Sequence, residues 1–179
     1  GYRQRKGIDY HLTTSPVAKM NSVRILLLLA AKFDYELTSM DVSTAYLNAD
    51  MQDTLYMKLP PGYVTQFPDT KHLLVVKALY GSKQSGRRWY ERLVAFLLSN
   101  GYRQFKSDPC IFAPLDPSIK LFVCIYVDDL LIAGTPLAVD QFKSLMRSEF
   151  KMTETIVADK FIGMEIHRNR STRKLHLGQ

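Results

Sequence analysis

The chain has 179 residues, 46% of them hydrophobic and 11% aromatic, which is enough for one sizeable core, or two small lobes sharing one, and too much for a disordered chain. A formal charge of +7 favours a polyanionic partner. Two cysteines, Cys110 and Cys124, without a CxxC pair indicate neither a disulfide framework nor a zinc site, and His11, His72, His167 and His176 lack metal-ligand spacing.

Residues from about Ser22 to Tyr35 read as a helix with an apolar body and no Pro or Gly. The longest apolar run, Ile25 to Ala31, falls far short of the ~20 residues that cross a bilayer, so no membrane role is expected. Leu37 to Val42 reads as a short strand carrying Asp41. Leu55, Met57 and Leu59 alternate with strand period, and Pro60-Pro61-Gly62 ends that strand. Leu73 to Lys77 is a further strand candidate. Trp89, Leu93, Phe96 and Leu97 share one face of a helix stopped by Gly101. Two strands follow, Cys110 to Leu115 and Lys120 to Val127, and Cys124 in the second is expected to be a reduced core thiol. Leu130 to Ala133 makes another strand. Thr135-Pro136 reads as an N-cap and first helical position, opening an amphipathic helix with Phe142, Leu145, Met146 and Phe150. A hairpin of Phe161–His167 and Lys174–Leu177, turning over Asn169–Thr172, closes the order. Strands and helices mix without a βαβ rhythm, which implies an α+β fold with a largely antiparallel sheet. The abrupt start at Gly1 and stop at Gln179 are expected of a piece of a longer polyprotein.

The chemically informative segment is Leu121-Phe-Val-Cys-Ile-Tyr-Val-Asp128-Asp129-Leu-Leu-Ile-Ala-Gly134. It reads as two apolar strands joined by two adjacent carboxylates. Asp-Asp is a poor hairpin pair because its charges repel, and tight turns prefer Asn-Gly, Asp-Gly or Gly-X. A divalent cation would remove that conflict, and a local rule broken inside an apolar hairpin marks function. An ordinary solvated turn explains the hairpin alone equally well. The second acidic position, Asp41 in Met40-Asp41-Val42, shifts the balance, although taken singly it reads as readily as an N-cap for Ser43-Thr44-Ala45-Tyr46.

Several stretches together carry a resemblance. They are Ser15–Met20, Met40–Asn48, Leu55–Gly62, Leu79–Gly86, Trp89-Tyr90, Ser107–Cys110, Tyr126-Val127-Asp128-Asp129 and Phe161–Glu165. In this order and spacing the chain resembles the reverse transcriptase of copia-type retrotransposons, almost from end to end. The resemblance implies a right-hand polymerase fingers–palm fold, with an antiparallel palm sheet backed by helices. The palm would cover about 17–48 and 85–179, and the fingers about 1–16 and 49–84. The thumb and ribonuclease H regions would lie beyond the chain, and the fingers segment that supplies Lys and Arg to the triphosphate would precede it.

The resemblance also implies roles. Asp41, Asp128 and Asp129 would be catalytic and would hold two Mg²⁺ ions, or Mn²⁺, with the Val42 carbonyl as a further ligand. The Thr44 and Ala45 amides would contact the triphosphate, and the Tyr46 ring would exclude a ribose 2′-hydroxyl. Gly81, Lys83 and Gln84 would meet the substrate, with Arg87 and Arg88 reaching template phosphates. Ile162, Gly163, Met164 and Glu165 would form the primer grip. Ser82 departs from the family's usual Leu, which implies looser packing. The implied partners are an RNA or DNA template-primer and deoxynucleoside triphosphates. The implied setting is intracellular, a virus-like particle in the cytoplasm or the nucleus. The implied function is RNA-directed DNA polymerisation, poor in the isolated fragment; the alternative is a non-catalytic nucleic-acid-binding remnant.

Overall fold

A computed structural model describes residues 1–63, 69–155 and 158–178. Its packing divides the chain into two compact units, the first made of Gly1–Ser15 and Thr44–Leu93 and the second of Pro16–Ser43 and Val94–Gln179.

The second unit is built on an antiparallel six-stranded sheet. Its strands are β1 (Glu36–Val42), β4 (Tyr102–Gln104), β5 (Ile111–Pro114), β6 (Leu121–Tyr126), β7 (Asp129–Gly134) and β8 (Met152–Thr155), in the order β4-β5-β6-β7-β1-β8. The expected strands around Asp41 and the Asp-Asp pair are therefore central neighbours in one sheet. Strands β4 and β8 had no signal in the sequence, because both are short edge strands without a clean apolar alternation.

Helix α1 (Met20–Phe33) stops where Asp34 takes a left-handed conformation (φ 54°) and Tyr35 donates its N–H to the Ala30 carbonyl at 3.1 Å. The helix therefore ends before Tyr35. Its first turn is served from a distance: the buried Asp108 carboxylate accepts the Lys19 N–H at 2.9 Å, and acids are favoured at a helix start. Burial opposes the Asp108 charge, but hydrogen bonds from the Ser22 hydroxyl and the Cys110 and Lys19 amides hold its carboxyl below the ordinary value.

Side chains alternate along strands, so Leu37, Ser39 and Asp41 share one face of β1, as do Asp129, Leu131 and Ala133 of β7. Val23, Leu26, Leu27 and Ala30 of α1 bury themselves against Leu37, Cys124, Leu131 and Ala133. Helix α1 thus packs on the acid-bearing face, not on the back of the sheet as expected, because the period-2 parity of Leu37 and Asp41 puts both on one side. On the other face Met40, Leu130 and Ile132 are fully buried. Helix α3 (Pro136–Glu149) follows β7 and packs against it; its Phe142 meets Tyr102 edge-on, and Phe150 meets Phe96 at the end of helix α2 (Ser85–Ser99). Thr135 is the N-cap and Pro136 opens the helix, as expected.

A three-stranded sheet, ordered β11-β10-β9, completes this unit: β9 (Lys160–Phe161), β10 (Met164–Asn169) and β11 (Lys174–Gly178). The expected single strand Phe161–His167 is broken by a tight turn at Ile162-Gly163, and the following turn lies at 170–173. Phe161, Met164 and Ile166 join the α1 core cluster.

In the first unit, β2 (Tyr56–Lys58) and β3 (His72–Leu74) form a two-stranded ribbon shorter than the expected strands, with Leu55, Leu59 and Val75–Lys77 outside it. The turn Ala45–Asn48 is a single 3₁₀ turn whose cap is Thr44, left-handed at φ 53°. Asp41 is not that cap; it sits inside β1 with strands on both sides. Cys110 and Cys124 are buried free thiols, which burial pushes up to about 12, as inert core cysteines should be.

Candidate active site

The acids converge at one end of the six-stranded sheet. Across β8, β1, β7 and β6 the register aligns Thr153, Asp41, Asp129 and Tyr126 in one transverse row. Val42 donates its N–H to the Asp128 carbonyl at 3.1 Å, which makes Asp41 and Asp129 a non-hydrogen-bonded pair, the kind whose side chains approach most closely. The hairpin turn is Val127-Asp128, not Asp128-Asp129: Tyr126 pairs with Asp129, and Val127 bends left-handed at φ 60°. This one-residue shift decides which acid faces which. The fold sets Asp129 directly opposite Asp41 and leaves Asp128 on the exposed turn.

The electrostatics follow from that row. Burial raises the Asp41 carboxyl above its ordinary value, and the Asp128 charge raises it further. Burial likewise raises Asp129, followed by the charges of Asp128 and Asp41. Three mutually repelling carboxylates, two on neighbouring strands and one on the adjoining turn, thus stand at one end of the sheet, and all of their donors are oxygen. Among the described residues no three His, Cys, Asp or Glu side chains are gathered as a ready coordination shell. The donor chemistry nevertheless fits Mg²⁺, a hard cation that is bound by one or two carboxylates plus substrate phosphates rather than by an all-protein cage. Val42 has its side chain buried, so its backbone is what it offers outward.

The Ile162-Gly163 turn has positive φ at both positions, 51° and 75°, as a two-residue hairpin of this hand requires. Its flanks, Phe161 and Met164, are buried in the core on the face that carries Asp41 and Asp129, while Glu165 is exposed. This hairpin is held by arginines. Arg168, with only 9% of its side chain exposed, donates to the Tyr35 carbonyl at 2.6 Å, the Ala30 carbonyl at 2.9 Å and Asp34 Oδ1 at 2.9 Å. Arg170 pairs with Asp34 at 2.9 Å and Glu36 at 2.7 Å, and Arg173 donates to the Lys32 carbonyl at 2.8 Å. The three therefore close the carboxyl end of α1 rather than standing free for phosphate. The clamp has no local signal in the sequence, because its acceptors lie more than 130 residues away.

In the first unit, Tyr46 meets the Leu79–Gly86 segment. Its ring stacks on Tyr80 with centroids 5.7 Å apart, and a Cβ added at Gly86 would lie 3.8 Å from its hydroxyl. Gly81 needs its glycine, having φ 94°. Ser82 donates its hydroxyl to the Leu79 carbonyl at 3.1 Å, so this position holds the loop by a hydrogen bond where an apolar residue would pack. Gln84 is fully buried; its amide donates to the Asp9 carbonyl at 3.0 Å and to Asp53 at 3.2 Å, and it accepts from Gln4. Arg87 pairs with Glu91 at 2.8 Å, and Arg88 with Asp53 at 3.3 Å and Glu91 at 3.1 Å. Gln84, Arg87 and Arg88 are thus engaged inside the unit. Lys83 is exposed, and its backbone N–H is taken by Gln4. Ala45 is buried and Thr44 exposed.

The sequence pattern of the family described as reverse transcriptase (RNA-dependent DNA polymerase) matches residues 1–179. The chain is 38% identical over 183 residues to the retrovirus-related Pol polyprotein from transposon TNT 1-94 of Nicotiana tabacum, covering all of this chain and 14% of that protein. It is 34% identical over 180 residues to the Pol polyprotein from transposon RE1 of Arabidopsis thaliana, again covering all of this chain and 12% of the relative. Against the transposon Ty1-H Gag-Pol polyprotein of Saccharomyces cerevisiae it is 31% identical over 139 residues, 74% of this chain and 7% of the relative. The chain spans less than a sixth of these proteins. With the family pattern matched throughout, the chain belongs to the reverse transcriptases (RNA-dependent DNA polymerases) of copia-type retrotransposons.

Proposed function

We propose that this chain adds deoxynucleotides to a primer 3′ end on an RNA or DNA template, by two-metal phosphoryl transfer. The observation that carries this reading is the cross-strand row, which sets Asp129 opposite Asp41 with Asp128 on the adjoining turn. Aligning like charges side by side is unfavourable for folding, and a bound divalent cation offsets it. Asp41, Asp128, Asp129 and the Val42 carbonyl are the residues that would hold metal. Two Mg²⁺ ions, when bound, supply activation of the primer hydroxyl and neutralisation of the triphosphate charge.

The remaining residues bind and orient. The second unit serves as the palm and the first as the fingers. The Ile162-Gly163 turn, anchored on the acid-bearing face, sets the primer end; the amides of Thr44 and Ala45 and the exposed Lys83 take the triphosphate or template phosphates. The Tyr46 ring, braced by Tyr80, excludes a 2′-hydroxyl by bulk. Protonation of Asp41 and Asp129, whose proton affinities are raised, removes the charge that holds a cation, so activity should fall on the acid side.

Primer extension on an RNA template with Mg²⁺ tests the proposal. The 179-residue chain should bind template-primer and extend it poorly, and the same domain within its longer Pol protein should extend it well. Asp128→Asn in the longer protein should abolish extension while largely sparing binding. Undiminished extension by that variant would refute the catalytic assignment. The alternative, a binding remnant without catalysis, predicts no extension even from the longer protein.

A further inference from the structure

The four histidines are scattered along the sequence, but the fold brings two of them together. In the hairpin of β10 and β11 the register sets His167 directly opposite His176. Residues directly opposite in an antiparallel pair share a face. Met164 and Ile166 turn inward to the α1 core, so Glu165 and His167 turn outward, and Glu165, His167 and His176 are all exposed. Ile166 donates its N–H at 2.7 Å to the Asp159 carbonyl, on the β9 side. The backbone of His167 therefore faces β11, and the two histidines form a hydrogen-bonded pair with Cα atoms about 5.5 Å apart. From that spacing two imidazole rings can converge on one ion at the ~2.0–2.1 Å of a Zn–N bond.

A third group sets the ring. Glu165 Oε2 lies 3.3 Å from His167 Nε2, and Gly178, opposite Glu165, brings no side chain to compete for that carboxylate. A carboxylate on one imidazole nitrogen fixes the ring and raises the basicity of the other, which is how protein sites orient a ligating histidine. His167 then offers Nδ1, and Glu165 is its orienter rather than a ligand. This agrees with the lack of any group of three metal-binding side chains among the described residues. The hairpin is held firmly: Ile166 and Leu175 pack on the α1 core, and Arg168 and Arg170 tie it to the end of α1. Lys160, opposite Glu165, and Lys174, two residues before His176, stand on the same outer face. They oppose any cation, so a hard ion held by charge gains nothing here, whereas a metal that bonds imidazole nitrogen does.

We propose that His167 and His176 bind a borderline-soft divalent transition metal, of which Zn²⁺ is the type, bridging β10 and β11 on the outer face of the hairpin with water in its remaining positions. The site is separate from the acid row, whose oxygen donors suit Mg²⁺, and it does not depend on the polymerase reading.

The test is isothermal titration calorimetry of the 179-residue chain with Zn²⁺ in excess Mg²⁺. His167→Ala and His176→Ala should each weaken Zn²⁺ binding about tenfold or more, while Asp128→Asn and His72→Ala leave it unchanged. Glu165→Gln keeps both imidazoles and should still weaken it about tenfold; an unchanged affinity would remove the carboxylate from the site. Without metal the histidine variants should melt with the parent, and Zn²⁺ should raise the melting temperature of the parent but not of those variants. No Zn²⁺ binding by the parent overturns the proposal, as does binding that both histidine variants retain. Binding lost in Asp128→Asn instead would place the ion on the acid row, and an equal loss in His72→Ala and His176→Ala would mean adventitious surface binding; either result overturns it as well.

Discussion

Replacing Asp129 by Asn should make the protein more stable at neutral pH while disabling the site. Asp129 and Asp41 are directly opposite in a non-hydrogen-bonded pair, so their Cα atoms lie about 4.5 Å apart. Two carboxylates about 5 Å apart repel by about 0.8 kcal/mol in a water-like dielectric, which suits the exposed Asp129. For a chain of this size that is about 2–3 °C in melting temperature. The sign follows from the direction of the shift. Burial and the charges of Asp128 and Asp41 raise the folded-state value of Asp129, so its stabilising contribution belongs to the protonated form. That contribution is complete below the ordinary carboxylate value of 3.8 and is lost as pH rises through the raised folded value. The Asn variant should therefore gain at neutral pH and lose its advantage in acid. Salt at about 1 M should shrink the gain, because the screening length there is about 3 Å. Urea unfolding of both proteins across pH, with and without salt, gives the difference. A variant no more stable than the parent at neutral pH would refute the argument; so would a gain that persists unchanged below the carboxylate range.

Three further outcomes follow from the geometry. Tyr46→Ala in the longer Pol protein should raise the ratio of ribonucleotide to deoxynucleotide incorporation, and an unchanged ratio would return Tyr46 to the role of a packed ring stacked on Tyr80. Arg168→Ala should cost about 2 kcal/mol in urea unfolding, since it strips charged donors from the Tyr35 and Ala30 carbonyls and from Asp34; a loss below the scatter of the measurement would show the clamp to be ornamental. Val127→Gly should stabilise the hairpin by about 0.5–1 kcal/mol, the left-handed penalty of a β-branched residue less the entropy cost of glycine; thermal melting that moves downward would contradict it.

Much of the site was legible because its information is local. An apolar run on either side of two carboxylates marks a central hairpin, and Met40-Asp41-Val42 marks its neighbour. Pro136 after Thr135 and Gly101 after the second helix fix helix ends through backbone chemistry alone. What was not legible depends on pairing. Whether the turn falls on Val127-Asp128 or Asp128-Asp129 is a one-residue question of register, and the Val in the left-handed position argued for the wrong answer. The placement of α1 on the acid-bearing face needed the parity of Leu37 and Asp41 together with knowledge of which side the helix takes. The resemblance gave Gln84 a substrate role, but the fold buries it among Gln4, Asp9 and Asp53, partners too scattered along the chain to be read from its sequence.

The arginine clamp also orders events in time. Helix α1 is complete at Phe33, but the groups that close its carboxyl end come from Arg168, Arg170 and Arg173. Between Asp34 and Arg173 the ribosome must add nearly 140 residues, which at about 5–20 residues per second takes roughly 7–28 s. Throughout that interval the apolar helix has neither its last partners nor the core side chains of Phe161, Met164 and Ile166. The first unit, assembled from Gly1–Ser15 and Thr44–Leu93, has all its sequence by then. The nascent protein therefore has a window in which one unit can be folded while the leucine-rich helix of the other stands bare, and that window is where a chaperone would act and where aggregation during synthesis would begin.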